Sequence, residues 1–154
     1  QEDIRWDLCY IKSLNLLQNV LAKQAAKERG CFEAILHKDG IVTEASSANV
    51  FLVKDGNIFT YPATNRILRG CVRMKVFELA EKLNIPIIEQ AFSLADIPLA
   101  DEMFLTSTTA EVMPIVSVDG KVIGDGKSGP ITRKLQAGYE DDAQITTERI
   151  VETV

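Results

Sequence analysis

The sequence predicts an α+β domain, its sheets built mainly from hairpins in an α/β pseudo-barrel arrangement. Three observations predict it. Asp-Gly pairs at 39–40, 55–56 and 119–120 each separate two short runs containing Ile, Val or Phe, the pattern of tight β-hairpins. Apolar residues recur at three-and-four spacing after Ser13 and again after Gly70, the pattern of amphipathic helices. Hairpins and helices are also intermixed without the regular strand–helix alternation of a doubly wound parallel sheet.

Taken in order, residues 3–11 hold Ile, Trp and Tyr and read as a strand. Leu14, Leu17, Val20, Leu21 and Ala25 then line one face of a helix that Gly30 ends. Residues 31–36 and 41–43 form the first hairpin, and 49–53 and 58–61 the second. Val72, Val76, Phe77, Leu79 and Ala80 mark a helix over residues 71–83, and Pro86 fits a break after it. Residues 87–90 and 103–106 read as strands, with a short turn or helix at 94–99 between them. The third hairpin joins 115–118 to 121–123, and Gly129-Pro130 opens a last helix, proline being favoured at the first helical position. The polar residues 141–154 carry no clear period.

A chain of 154 residues with 46% hydrophobic content is long enough for one domain with a real core. Its net charge of -5 disfavours a nucleic-acid partner, since phosphate backbones call for a basic surface. No apolar run approaches the roughly 18 residues of a membrane span, and no secretory signal is visible. Cys9, Cys31 and Cys71 are odd in number and lack a C-x-x-C pair, so they read as reduced thiols of a cytoplasmic protein. One histidine, His37, excludes a multi-histidine metal site and argues against a hydrolase triad. Residues 124–129 literally fit G-x-G-x-x-G, but no βαβ unit surrounds them, so a dinucleotide site is rejected.

Two stretches carry the chemistry. Ile11-Lys12-Ser13-Leu14-Asn15-Leu16-Leu17 sets one lysine among apolar neighbours, and such surroundings lower an amine's pKa. Taken alone, a lysine at a helix start is ordinarily just solvated. About thirty residues on, Val42-Thr43-Glu44-Ala45-Ser46-Ser47-Ala48-Asn49-Val50-Phe51 presents a carboxylate. A lysine able to bond an aldehyde and a carboxylate able to face a heteroaromatic cation are the side chains that pyridoxal phosphate chemistry needs. A third stretch, residues 67–73, places Gly70 at a helix start where backbone amides could hold a phosphate. Thr106-Ser107-Thr108-Thr109 follows a predicted strand and offers hydroxyls, although such clusters more often make turns.

These stretches resemble the fold-type IV (class IV) pyridoxal-phosphate aminotransferases, most closely the D-amino acid group, from about Glu2 to Glu140. The resemblance implies that Lys12 bonds the cofactor aldehyde and then shuttles a proton between the substrate Cα and the cofactor. It implies that Glu44 keeps the pyridine nitrogen protonated, with Arg5 behind it. Leu68 would pack on the ring, Ser47 would touch the ring face away from substrate, and Cys71 and Val72 would give phosphate amides. Thr108, with Ser107 beside it, would complete the phosphate cradle.

The resemblance covers only the second half of such an enzyme, so residues 1–154 are expected to be its C-terminal, cofactor-binding domain. A start at Gln1 fits a piece of a longer protein. The implied whole is a homodimer that takes small-molecule partners, an amino acid (a D-amino acid by its closest group) and a 2-oxo acid. Branched-chain L-amino acid transamination and aminodeoxychorismate lysis are the alternatives. The rival of another class is a non-catalytic assembly domain.

Overall fold

The computed structural model describes the backbone of residues 1–151 and the side chains of residues 1–144. Among the described residues three α-helices, α1 (Leu17–Glu28), α2 (Cys71–Lys82) and α3 (Pro130–Val151), pack with nine short strands. Strands β3 (Asn49–Lys54), β4 (Asn57–Thr60), β5 (Ile87–Glu89), β6 (Glu102–Ser107) and β7 (Glu111–Pro114) form a sheet in the order β5-β4-β3-β6-β7. Only the β4–β5 pair is parallel. Ribbons β1 (Ile35–Lys38) with β2 (Ile41–Ala45), and β8 (Ser117–Val118) with β9 (Lys121–Val122), stand apart from it. The mixed α+β class expected from the sequence is the one observed.

The Asp-Gly turns form because both residues take positive φ, which an Asp-Gly pair tolerates and most residues do not: Asp39 51°, Gly40 80°, Asp55 49° and Gly56 77°. Central strands β3 and β6 are buried on both faces, and their alternation divides the core in two. Val50, Leu52, Met103 and Leu105 join one cluster with Val42, Phe92, Ile97 and Ile123. Phe51, Val53 and Phe104 join the other with Val72, Val76, Leu79 and Leu135, the buried faces of α2 and α3. There Phe51 and Phe104 stack at 4.7 Å between ring centres.

Three expectations need correction. Residues 3–11 are not a strand: beyond a single parallel bridge from Glu2 to His37 the chain turns away, because Asp3 is anchored by Arg5 and Thr43. Strand β7 has no counterpart in the sequence reading; it begins at Glu111, which takes φ 53°, and pairs back onto β6. Residues 31–34 lie outside β1, with Glu33 turned instead toward α1 and the β2–β3 connection. The aperiodic tail continues α3 as far as Val151, and residues 152–154 lie outside the described residues.

Candidate active site

Strand β2 carries Glu44 into the interior, where its carboxylate is buried. An isolated carboxylate there would be costly, and the fold surrounds it with donors. Arg5 reaches it through Nη1. The same guanidinium bonds both oxygens of Asp3, at 2.8 and 2.7 Å, and donates through Nη2 to the Arg66 carbonyl at 3.2 Å. Asn49 Nδ2 donates to Glu44 Oε2 at 3.0 Å, and the Leu68 amide donates to it at 3.2 Å.

Burial is the largest influence on Glu44 and pushes its carboxyl up to about 7, against the pull of Arg5 and the Leu68 amide. Burial also acts on Asp3, but there the Arg5 and Thr43 hydrogen bonds outweigh it and hold the carboxyl below the usual range. Burial opposes the charge on Arg5, which its two carboxylate partners stabilise still more.

Beside this cluster α2 begins without a cap. Gly70 is its N-cap in extended geometry, no side chain caps the helix, and no acid stands in its first turn. The amides of Cys71 and Val72 therefore lack intrahelical acceptors, the arrangement that favours an anion. A Cβ built on Gly70 would lie 2.5 Å from Asn49 Oδ1, so any side chain here would have to displace the Asn49 amide. Asn49 Nδ2 also donates to the Leu68 carbonyl at 2.7 Å, tying the turn before α2 to β3. Across from the helix start, Thr108 Oγ1 lies 3.7 Å from Cys71 Sγ. Ser107 Oγ accepts the Ala110 amide at 3.0 Å and stiffens the β6–β7 turn. Thr106 is buried with its hydroxyl unpartnered, and it pairs directly with Asn49 across β3–β6, so both side chains share one face.

The structure thus brings Glu44, Leu68, Cys71 and Thr108 into one chain of contacts through Asn49 and Gly70. Lys12 and Ser47 are not joined to it by any hydrogen bond among the described residues. Lys12 is exposed in the irregular segment before α1, so the apolar surroundings expected for it are not present. Ile11, Leu16 and Leu17 are themselves exposed, and Leu14 is 97% exposed. Ser47 donates to Glu33 Oε2 at 2.6 Å. Glu33 also accepts Lys23 Nζ at 2.8 Å and the Ser46 hydroxyl, linking α1 to the β2–β3 connection. Val72 packs in the core, which leaves its backbone as the part able to meet a ligand.

Sequence reasoning overlooked Asn49 as a site residue and offered Thr106 only as one of a run of hydroxyls. The signal for Asn49 was a polar amide leading into an otherwise apolar strand, five residues after Glu44. A cavity of about 400 Å³ lies against Arg5, lined also by Asp3, Trp6, Cys9, Lys38 and Arg66. A smaller hollow of about 190 Å³ lies between β7 and α3.

Buried carboxylate, uncapped helix start and hydroxyl-bearing turn thus lie side by side in the fold. The model of the family described as Amino-transferase class IV matches residues 1–118. The chain belongs to the class IV aminotransferases. Among similar class IV proteins, the D-alanine aminotransferase of Bacillus licheniformis is 47% identical over 150 residues, covering 97% of this chain and 53% of that protein. The D-alanine aminotransferase of Staphylococcus aureus (strain N315) is 51% identical over 139 residues, covering 90% and 49%. The chain therefore spans about half the length of the curated relatives it matches.

Solved class IV structures agree. The branched-chain amino acid aminotransferase from Thermobaculum terrenum in its PLP-form superposes with a TM-score of 0.82 at 35% identity, covering 87% of this chain and 45% of that one. The Escherichia coli branched-chain enzyme gives 0.76 at 39% identity, covering 79% and 42%. Among the described residues no helix is long and apolar enough to cross a membrane, and no group of three or more metal-ligating side chains is present.

Proposed function

We propose that this chain is the C-terminal, cofactor-binding domain of an aminotransferase that passes an amino group from a D-amino acid to a 2-oxo acid, using pyridoxal 5′-phosphate. The observation that carries the reading is Glu44, a buried carboxylate held by Arg5, Asn49 and the Leu68 amide beside an uncapped helix start. Bound pyridoxal 5′-phosphate supplies an aldehyde that takes the amino group and a ring that accepts electrons when its nitrogen is protonated.

Glu44 would hold the proton on that ring nitrogen. Arg5 and Asn49 fix its carboxyl in place, and as a carboxylate it would stabilise the charge of the protonated ring nitrogen. The amides of Cys71 and Val72, with the hydroxyls of Ser107 and Thr108, would hold the phosphate, and the unpartnered Thr106 hydroxyl fits the same polar corner. Leu68 would pack against the ring and Ser47 against its other side. Lys12 Nζ would carry the cofactor and hold the transferred proton between donor and acceptor steps. Its exposure here fits a site whose opposite wall comes from the rest of the protein.

The D-amino acid donor is supported by the names of the curated relatives. A branched-chain L-amino acid donor is the second reading, favoured by the solved structures. A homodimer is the proposed assembly. Its support is the apolar surface left bare along α1, where Leu17, Val20 and Leu21 are all more than half exposed, and at Phe32 beside it.

Borohydride reduction of the full-length holoprotein followed by peptide mapping should fix the cofactor to Lys12. Attachment to another lysine would remove the assignment. Feeding D-alanine, L-alanine and L-leucine in turn with 2-oxoglutarate separates the two donor readings, and D-alanine is expected to be consumed.

A further inference from the structure

We infer that Asn49 is a positioning residue, a clasp that locks the Glu44 carboxylate and the start of α2 into one rigid unit, with Gly70 as the space the clasp requires. For its role this rests on the cofactor reading above; for its geometry it does not. One side-chain amide makes both connections: Nδ2 donates to Glu44 Oε2 at 3.0 Å and to the Leu68 carbonyl at 2.7 Å. Both protons of that amide are thereby used, and Asn49 is 3% exposed, so the group has no alternative role as a surface donor. The Leu68 amide returns a bond to the same carboxylate at 3.2 Å, closing a ring of contacts between β2, β3 and the turn before α2.

The other end of the Asn49 side chain explains Gly70. The backbone there, φ -64° and ψ 145°, is open to any residue, so backbone strain does not demand glycine. What a Cβ would meet is Asn49 Oδ1, 2.5 Å away. Glycine is present because the amide occupies the space. The two ends of a ring bearing a phosphate would then be gripped by groups whose separation is fixed by one side chain, and fixed separation is what preorganises a site.

The test uses the full-length protein and three variants: N49A, G70A and the double variant N49A/G70A. Three quantities are read: the titration of the Glu44 carboxyl by ¹³C NMR in apoprotein, thermal unfolding of apoprotein, and pyridoxal 5′-phosphate affinity from visible absorbance. The groups facing Glu44 are Arg5, Asn49 and the Leu68 amide, with Asp3 behind Arg5. N49A removes a donor that serves the charged form, so the Glu44 titration should move upward and cofactor affinity should fall on the order of tenfold. G70A should weaken binding at least as much and lower the unfolding temperature. In the N49A background the same Gly70→Ala change should do little, because its methyl group then has room.

An N49A protein with unchanged Glu44 titration and unchanged affinity would overturn the clasp. So would a Gly70→Ala effect of equal size with and without Asn49. If G70A fails to fold, recovery of folding in N49A/G70A supports the clasp, and failure of both leaves N49A alone to decide. A wild-type protein that does not bind pyridoxal 5′-phosphate would instead sink the cofactor reading, with the clasp still decided by the apoprotein measurements.

Discussion

Glu102 and Glu44 are both buried carboxylates set beside the start of a helix, and the fold uses them in opposite ways. Glu102, on β6, accepts the Ile131 amide at 2.9 Å, the Thr132 amide at 2.8 Å and the Thr132 hydroxyl at 2.7 Å. It is the cap of α3, delivered from a distant strand, and its negative charge meets the positive end of the helix dipole. A Cβ on Gly129 would collide with that carboxylate, so the approach is close as well. Glu44 instead bonds the Leu68 amide ahead of α2 and leaves the helix start itself uncapped. The first carboxylate satisfies a helix and closes the site to anything else. The second is satisfied by its neighbours and leaves the adjoining helix start open. Of the two buried carboxylates, only Glu44 stands beside a helix whose first amides are left over.

The largest expected effect breaks the closed member of the pair. E102A deletes three hydrogen bonds and bares the α3 start, and should lower stability by about 3 kcal/mol or more in urea unfolding. The Glu44 titration should stay where it is. A loss below about 1 kcal/mol would mean that α3 does not depend on this cap.

Next is the pH dependence of the open member. A folded-state pKa of about 7 lies above the ordinary 4.5, so the native state holds an extra proton between those values. The stability Glu44 contributes is then fully present below about pH 4.5 and lost as pH rises through 7, by at most about 3 kcal/mol. Asp3, held low, works the other way, and its contribution is lost only in stronger acid. E44Q should flatten the decline between pH 4.5 and 7 in chemical unfolding curves. An unchanged slope would show that another group titrates there.

The smallest effect belongs to a surface pair that touches neither carboxylate. Lys54 meets Asp101 at 3.1 Å with both side chains more than two-fifths exposed. K54A should shift stability by only about 0.5 kcal/mol, less in high salt. A larger change would mean that the hold of Asp101 on the Asp55 turn amide depends on the lysine.

Much of the fold was legible in the chain because its causes are local. The Asp-Gly turns need positive φ, and the pair itself announces that need. The α2 face follows from Val72, Val76, Leu79 and Ala80, which are buried as their spacing predicts. Arg73 broke that pattern: it is 1% exposed, paired with Glu89 at 2.6 Å and set over the Phe77 ring, and no local signal distinguishes it from a solvated arginine. Residues 3–11 misled for the converse reason. Their strand-like composition is real, but the Asp3–Arg5–Glu44 link pulls the segment off the sheet.

The candidate site divides along the same line. By itself the sequence determined the residue types: Glu44 on a strand, Gly70 before a helix, hydroxyls at 106–109, and Lys12 before α1. Those are single-residue facts tied to turns, periods and short motifs. Only the tertiary structure decided that Asn49 joins Glu44 to the turn before α2, and that Thr106 faces the same side as Asn49. It also decided that α2 starts uncapped while α3 does not. The physical reason is range. Local conformation depends on neighbours a few residues apart, whereas these contacts join residues as far apart as Asn49 and Thr106 and exist only once β2, β3, β6 and the helices have packed.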